Sequence, residues 1–173
     1  ARTKDQTTAK VCTKLFEKVK NLEDLEKIKL LELESLLYPV GFSKTKAKHL
    51  KKLALIIKDK YNNQIPSTME ELVQLPGVGR KTANLVLATA FNLPAICVDV
   101  HVHRILNRLG YIKTNSPLET EMTLRKQLPE QLWSLTNKLF VPFGQFLCTP
   151  VSPWCSKCPI KQYCKQVGVK KSR

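Results

Sequence analysis

Four cysteines near the carboxyl end of the sequence constrain its fold more than any other feature. Cys148, Cys155, Cys158 and Cys164 form a C-x6-C-x2-C-x5-C array. Thiolates this close together repel one another unless a cation holds them, and four-cysteine sets bind cubane iron-sulfur clusters. Zinc also accepts four thiolates, but structural zinc sites usually pair two short knuckles and this array has one. Two disulfides are disfavoured, because we expect no secretory leader and a chain of this size needs no disulfides to form a core. The array therefore predicts a metal-bound loop, with a cluster favoured over zinc.

The charge balance indicates a polyanionic partner. The 173 residues include 29 Lys and Arg against 14 Asp and Glu, which gives a net charge of +15. An excess of this size is typical of proteins that bind nucleic acid, and a merely soluble basic protein is the alternative. The longest apolar run, 83–98, is too interrupted by Asn84, Asn92 and Pro94 to span a membrane. We therefore expect a soluble intracellular protein with no membrane partner.

Apolar periodicity predicts an all-α fold. Apolar residues recur at helical spacing, and no segment alternates as a half-buried strand would. Ser67 and Glu70 form a capping box that begins one short helix. The buried faces predicted for the first and last helices are Ala9, Cys12, Phe16 and Val19 for the first, and Trp133, Leu135, Leu139 and Phe143 for the last.

The segment L-P-G-V-G-R-K-T-A at 75–83 predicts a phosphate-binding hairpin between two helices. Gly77 and Gly79 allow a tight turn with positive φ, and Val78 packs inward. Backbone N–H groups then point outward at the start of the next helix, where the helix dipole also favours an anion. This pattern is typical of the helix-hairpin-helix element, which binds a nucleic-acid backbone without reading bases. An ordinary helix turn is the alternative.

Lys81 and Asp99 are the candidate catalytic residues. Lys81 lies in the first turn of the helix after the hairpin, where the helix end and Arg80 both disfavour a second positive charge. A neutral lysine amine can attack a sugar carbon and form a Schiff base, although Lys81 could also be one more phosphate contact. Asp99 precedes a helical stretch and is an N-cap in the simplest interpretation. Its carboxylate could also stabilise positive charge on a sugar ring.

Three motifs together resemble endonuclease III, the bifunctional member of the helix-hairpin-helix DNA glycosylases. They are the hairpin, the V-D-V-H-V-H-R segment at 98–104 and the cysteine array, and the resemblance extends over essentially the whole chain. It implies an all-α, two-lobed glycosylase fold with a helical barrel lobe at 1–92 and a cluster lobe at 93–173. The family has further residues before the position of Ala1, so we expect the barrel lobe to be truncated. The resemblance also implies a 4Fe-4S cluster rather than zinc.

The resemblance further implies base-excision repair. The enzyme would remove oxidised pyrimidines from duplex DNA and then act as an AP lyase, since the damaged nucleotide must be flipped out of the stack to be reached. Lys81 would attack C1′ and displace the base while Asp99 stabilises the developing charge. The resulting Schiff base would lead to β-elimination. The expected partner is double-stranded DNA with a damaged base or an abasic site, bound by a monomer in a bacterial cytoplasm or a eukaryotic nucleus.

The same resemblance implies which residues contact DNA. Phe42 and Arg2 would wedge into the gap left by the flipped base, because both are large enough to hold the stack open. The other implied DNA contacts are Gly77, Val78, Gly79, Arg80, Lys46, His101 and Arg104. One alternative is a monofunctional glycosylase, which characteristically lacks a lysine at the position of Lys81. Another is a non-catalytic or truncated DNA-binding iron-sulfur module.

Overall fold

The computed structural model describes residue 3 and residues 5–173, and within this range the regular structure is entirely helical. This confirms the predicted all-α class. No helix in the described part of the chain is long and apolar enough to cross a membrane. The α-helices are α1 (Asp5–Lys18), α2 (Leu22–Lys27), α3 (Leu30–Leu37), α4 (Ser43–Tyr61), α5 (Met69–Leu72), α6 (Arg80–Ala90), α7 (Val100–Leu109), α8 (Pro117–Gln127) and α9 (Trp133–Phe146).

Proximity of Cα atoms divides the chain into two compact units, residues 1–79 and 80–173. The first unit contains α1 to α5 and the second contains α6 to α9. The predicted lobe boundary between residues 92 and 93 falls after α6, whereas this division falls before it. The lobe assignment stays a prediction. Lys81 and Asp99 both lie in the second unit.

Helix α4 is the longest helix of the first unit and packs against α2 and α3, while α1 packs against α3. Ala47 and Ala54 on α4 are almost completely buried, as is Leu33 on α3. The two alanines lie seven positions apart, so they share one face of α4. Small side chains on that face allow the neighbouring helices to approach closely, and this places Leu33 at the centre of the core.

The second unit forms its core around α7. Val102, Ile105 and Leu106 point inward from this helix and are at most 5% exposed. Ile96, from the extended segment before α7, and Leu124, from α8, are fully buried beside them. The buried stripe on α7 recurs at i, i+3 and i+4, as expected of a helix with one face toward a core.

Two predicted buried faces are only partly confirmed: Val19 is buried and Trp133 packs against the core of the second unit, but other predicted members are exposed. On α1 the buried residues are Val11 and Leu15, and Phe16 is 60% exposed, because packing against α3 selects the neighbouring stripe. On α9, which packs against α7, small residues such as Gly144 are buried, whereas Leu139 is 61% exposed. Hydrophobicity alone favours the large side chain, but close helix packing favours the small one.

The predicted capping box of α5 is displaced by one residue. Thr68, rather than Ser67, is the N-cap, and its Oγ1 accepts a hydrogen bond from the backbone N of Glu71 at 3.3 Å. The Thr68 hydroxyl donates in turn to Glu71 Oε2 at 2.7 Å. The predicted partner, Glu70, instead adds negative charge to the first turn, where the helix dipole favours it.

Replacing Leu33 with alanine should lower the free energy of unfolding by about 2–5 kcal/mol, because the side chain is completely buried and its removal leaves a cavity. Leu31→Ala, in the same helix, is the matched control. It removes the same atoms from a position that is 79% exposed and should change the free energy by no more than about 0.5 kcal/mol. Urea unfolding followed by circular dichroism measures both, and equal effects would contradict the buried face assigned to α3.

Candidate functional site

The turn before α6 has the geometry of a hairpin, but its two glycines differ. The backbone N of Val78 donates to Leu75 O at 3.1 Å and closes the turn. Gly77 has φ +78, and a Cβ added there would lie 2.8 Å from His49 Nδ1, so both backbone and space require glycine. Gly79 is not left-handed, and a Cβ there would meet no atom within 4 Å. The predicted positive φ is therefore confirmed for Gly77 and wrong for Gly79.

Lys81 is the second residue of α6, and its side chain is exposed. Its backbone carbonyl contacts a buried cysteine. The thiol of Cys97 donates to Lys81 O at 3.5 Å. Burial raises the pKa of the Cys97 thiol to about 11; the charge of Lys81 lowers it, and the charges of Asp99 and Glu121 raise it. Three charged groups therefore lie close enough to one buried thiol to affect its ionisation.

Asp99 is the N-cap of α7. Its Oδ1 accepts hydrogen bonds from the backbone N of His101 and of Val102, both at 2.9 Å. The residue is only 8% exposed, and the two donors and the positive end of α7 hold its carboxylate in one orientation. The helix thus fixes one oxygen of this buried carboxylate.

Arg80, a predicted phosphate contact, is directed toward α8. Its Nε and Nη2 donate to Glu121 Oε2 and Oε1 at 3.0 and 2.9 Å. Glu121 is 3% exposed and also accepts from Arg125 Nε at 3.0 Å. Sequence reasoning did not identify Glu121, because its partner lies on a helix 41 positions away. The phosphate contact of Arg80 stays a prediction.

Arg104 and His101, two further predicted DNA contacts, lie between α7 and α9. Arg104 Nη2 donates to Gly144 O at 3.0 Å and to Cys148 O at 2.8 Å, and lies 3.1 Å from His101 Nδ1. Burial lowers the pKa of the Arg104 guanidinium, and the charge of Arg108 lowers it further. Arg104 therefore joins α7 to the first cysteine of the array, and its DNA contact stays a prediction.

Phe42 and Lys46, at the start of α4, belong to the first unit. Phe42 is 63% exposed and has a left-handed backbone with φ 60, a conformation that costs free energy in a residue with a side chain. Lys46 Nζ donates to Gly41 O, and the backbone N of Gly41 donates to Thr3 Oγ1 at 3.0 Å. Arg2 lies outside the described residues, but its neighbour Thr3 contacts the residue before Phe42. The wedge and phosphate roles stay predictions.

The four cysteines of the array line one cavity in the second unit, and its other walls are mainly apolar. None of them forms a disulfide. Burial raises the pKa of the Cys158 thiol, a backbone hydrogen bond from Ile160 lowers it, and the other three cysteines raise it. Within residues 3 and 5–173, no three His, Cys, Asp or Glu side chains could together hold a single metal ion. The cavity residues include Phe143, Leu147, Cys148, Cys155, Cys158, Ile160 and Cys164.

The chemistry of this donor set fits a multi-iron cluster better than a lone zinc ion. In a cluster each thiolate binds a different iron, so the four sulfurs surround a cavity, whereas the ligands of zinc converge on one point. Arg108 Nη1 donates to Cys148 Sγ at 3.5 Å and to Thr149 O at 2.7 Å, and the backbone N of Val167 donates to Arg108 O at 2.9 Å. The cysteine loop is thus fastened to the carboxyl end of α7, whose other end carries Asp99.

Comparison with known proteins assigns the chain to a family. A family model described as HhH-GPD superfamily base excision DNA repair protein matches residues 1–130. Endonuclease III of Thermotoga maritima is 45% identical over 164 residues, which cover 95% of this chain and 77% of that protein. Endonuclease III of Bacillus subtilis is 40% identical over 167 residues, which cover 96% of this chain and 76% of that protein.

A solved structure gives the same result in three dimensions. It is a trapped covalent intermediate of endonuclease III with DNA, which matches with a TM-score of 0.90 at 41% identity and covers 96% of this chain and 78% of that chain. The family predicted from the three motifs is confirmed: the chain belongs to the endonuclease III family within the HhH-GPD superfamily of base excision DNA repair proteins.

Proposed function

We propose that this chain removes oxidised pyrimidines from duplex DNA and then cleaves the strand as an AP lyase, with Lys81 as the nucleophile. The observation that carries the proposal is that Cys97 contacts the backbone carbonyl of Lys81, at 3.5 Å, and lies two residues before Asp99, so the exposed lysine and the helix-capping carboxylate belong to adjoining segments. A lysine amine can form a covalent bond to a sugar carbon, and a nearby carboxylate can stabilise the positive charge that develops there. A solved relative trapped covalently on DNA supports this assignment.

Lys81 carries the first chemical step. A damaged nucleotide flipped out of the duplex presents C1′ to the amine. The nitrogen lone pair forms a bond to C1′, the glycosidic bond breaks, and the base leaves with the bonding electrons. The nitrogen then loses a proton and the sugar ring opens, which gives a Schiff base between Lys81 and C1′.

Asp99 supports this step. Two backbone N–H groups of α7 hold its Oδ1, so the carboxylate keeps its orientation while positive charge grows on the sugar.

The Schiff base makes the 2′ proton acidic. Its removal places the electron pair between C2′ and C3′, and the bond from C3′ to the phosphate oxygen breaks. The strand is therefore cut on the 3′ side of the lesion.

The partner that fits this chemistry is double-stranded DNA with a damaged base or an abasic site, bound by a monomer. Gly79 leaves open space beside the hairpin, so a phosphate can approach the backbone N–H groups at the start of α6. Phe42, exposed on a left-handed backbone, is the proposed wedge in the first unit. The net charge of +15 supplies the general attraction.

Cys148, Cys155, Cys158 and Cys164 are the proposed ligands of a 4Fe-4S cluster. Burial and the charges of the other three cysteines raise the pKa of the Cys158 thiol, and a bound cation would favour its thiolate. When bound, the cluster supplies a structural cross-link within the second unit. The residues of the loop then hold the carboxyl end of α7, and no chemical step of the proposed reaction uses the cluster.

Lys81→Ala should abolish borohydride trapping on duplex DNA that carries an abasic site or thymine glycol, because reduction fixes only a Schiff base. Lys10→Ala is the control, since it removes the same charge from a helix of the first unit and should leave the adduct unchanged. The adduct is measured as a band of reduced mobility on a denaturing gel. Wild-type-like trapping by folded Lys81→Ala protein would contradict the role of Lys81. No adduct from folded, iron-loaded wild-type protein would exclude the lyase mechanism.

The affinity for such DNA should fall steeply as salt rises, because each phosphate contact displaces counterions. The logarithm of the binding constant should decrease linearly with the logarithm of salt concentration, with a slope of roughly −0.9 for each phosphate contacted. Fluorescence anisotropy with an abasic-site analogue that resists cleavage measures this slope. An affinity that does not change between low and high salt would rule out binding through the phosphate backbone.

The purified protein should contain roughly four irons and four acid-labile sulfides per chain. Cys158→Ser should lower the iron content, since a hydroxyl is a poor replacement for a thiolate ligand. Cys12→Ser, outside the array, is the matched control and should leave the iron content unchanged. Elemental analysis with a sulfide assay measures both, and zinc in place of iron and sulfide would overturn the cluster assignment.

A further inference from the structure

We propose that Glu121 is a positioning residue that fixes the first turn of α6 and thereby the Lys81 amine. This inference rests on the proposed function, because it assigns Glu121 a part in presenting the nucleophile. Glu121 belongs to α8 and lies next to neither Lys81 nor Asp99 in the sequence. Its carboxylate nevertheless reaches the residue that directly precedes Lys81, because Arg80 donates to it from Nε and Nη2.

The Glu121 carboxylate is fully engaged by two arginines. Oε1 accepts from Arg80 Nη2 at 2.9 Å and from Arg125 Nε at 3.0 Å, and Oε2 accepts from Arg80 Nε at 3.0 Å. The pair with Arg80 is bidentate, so it fixes both the distance and the direction of the guanidinium. Because Arg80 is the first residue of α6 and precedes Lys81, the pair fixes the point at which the helix begins.

A second contact holds α6 one turn further along. Arg125 Nη2 donates to Asn84 Oδ1 at 3.0 Å, and Asn84 is completely buried. The Arg125 guanidinium also lies 5.0 Å from the centre of the Trp133 ring, which restricts its movement. Helix α6 is thus tied to α8 at positions 80 and 84. Two attachments one turn apart fix the rotation of the helix about its axis, and Lys81 lies between them.

Charge gives a second reason for a carboxylate at this place. The first turn of α6 contains no acidic residue, and it begins with Arg80 and Lys81, two cations at the positive end of the helix. Such a start is unfavourable by itself. Glu121, at 3% exposure, supplies the missing negative charge from another helix. A buried ion pair adds little net stability compared with apolar packing, so its value here is the defined geometry of α6.

Glu121→Gln is the direct test, because it keeps the size of the side chain and removes its charge. Single-turnover borohydride trapping at saturating abasic DNA should slow by about tenfold or more, since a small displacement of a nucleophile greatly reduces its rate. The dissociation constant for an uncleavable abasic-site duplex should stay within about twofold, because Glu121 contacts no DNA in this proposal. Glu26→Gln, which removes a carboxylate paired with Lys58 in the first unit, should leave both quantities unchanged.

A double-mutant cycle tests whether Glu121 acts through Arg80. If Glu121 acts through Arg80, the double variant Arg80→Gln/Glu121→Gln should trap no more slowly than the slower of the two single variants. If the rate losses of the two single variants multiply in the double variant, the two residues act independently and the proposed coupling is wrong. Should Glu121→Gln fail to fold, Arg125→Lys keeps the charge but removes the fork that reaches Asn84, and it should also slow trapping without weakening binding. Wild-type trapping rates in the folded variants would overturn the proposal. A wild-type protein without any adduct would instead refute the proposed function.

Discussion

The close packing of α9 against α7 at Gly144 is the contact on which the second unit depends. A Cβ at Gly144 would lie 2.9 Å from His101 Cβ and 3.0 Å from Arg104 Nη2, so only glycine allows the two helices to approach this closely. The approach lets Arg104 reach the carbonyl oxygens of Gly144 and Cys148. Together with Arg108, which donates to Cys148 Sγ, Arg104 fixes the helix that Asp99 caps to the first cysteine of the array.

Buried charges in the second unit are placed where helix ends can stabilise them. Asp99 takes two N–H donors at the start of α7, and Glu121 lies against the positively charged start of α6. Desolvation makes each carboxylate costly, and the hydrogen bonds offset that cost only while the helices keep their positions. Because these hydrogen bonds form only in one placement of the helices, they keep the helix ends rigid. Rigidity around Lys81 is useful because a nucleophile must be held at a fixed distance from its carbon.

The sequence predicted the parts of the site that depend on local pattern, and missed those that depend on packing between helices. The cysteine array and the hairpin at Gly77 could be read from spacing, and Asp99 from its place before a helix. Glu121 could not, because an acidic residue on a helix looks like a surface residue until its partner is known. Gly144 was likewise invisible, since close packing depends on which face of α9 meets α7.

The fold explains one of the two hairpin glycines, and a bound partner would explain the other. Gly77 needs to be glycine for folding, because of its positive φ and its contact with His49. Nothing within the described residues crowds a side chain at Gly79, so the fold alone does not explain this glycine. A phosphate that approaches the backbone N–H groups at the start of α6 would explain it, because a side chain there would block the approach. Under the proposed function, bound DNA and not the fold is therefore the reason that position 79 is glycine.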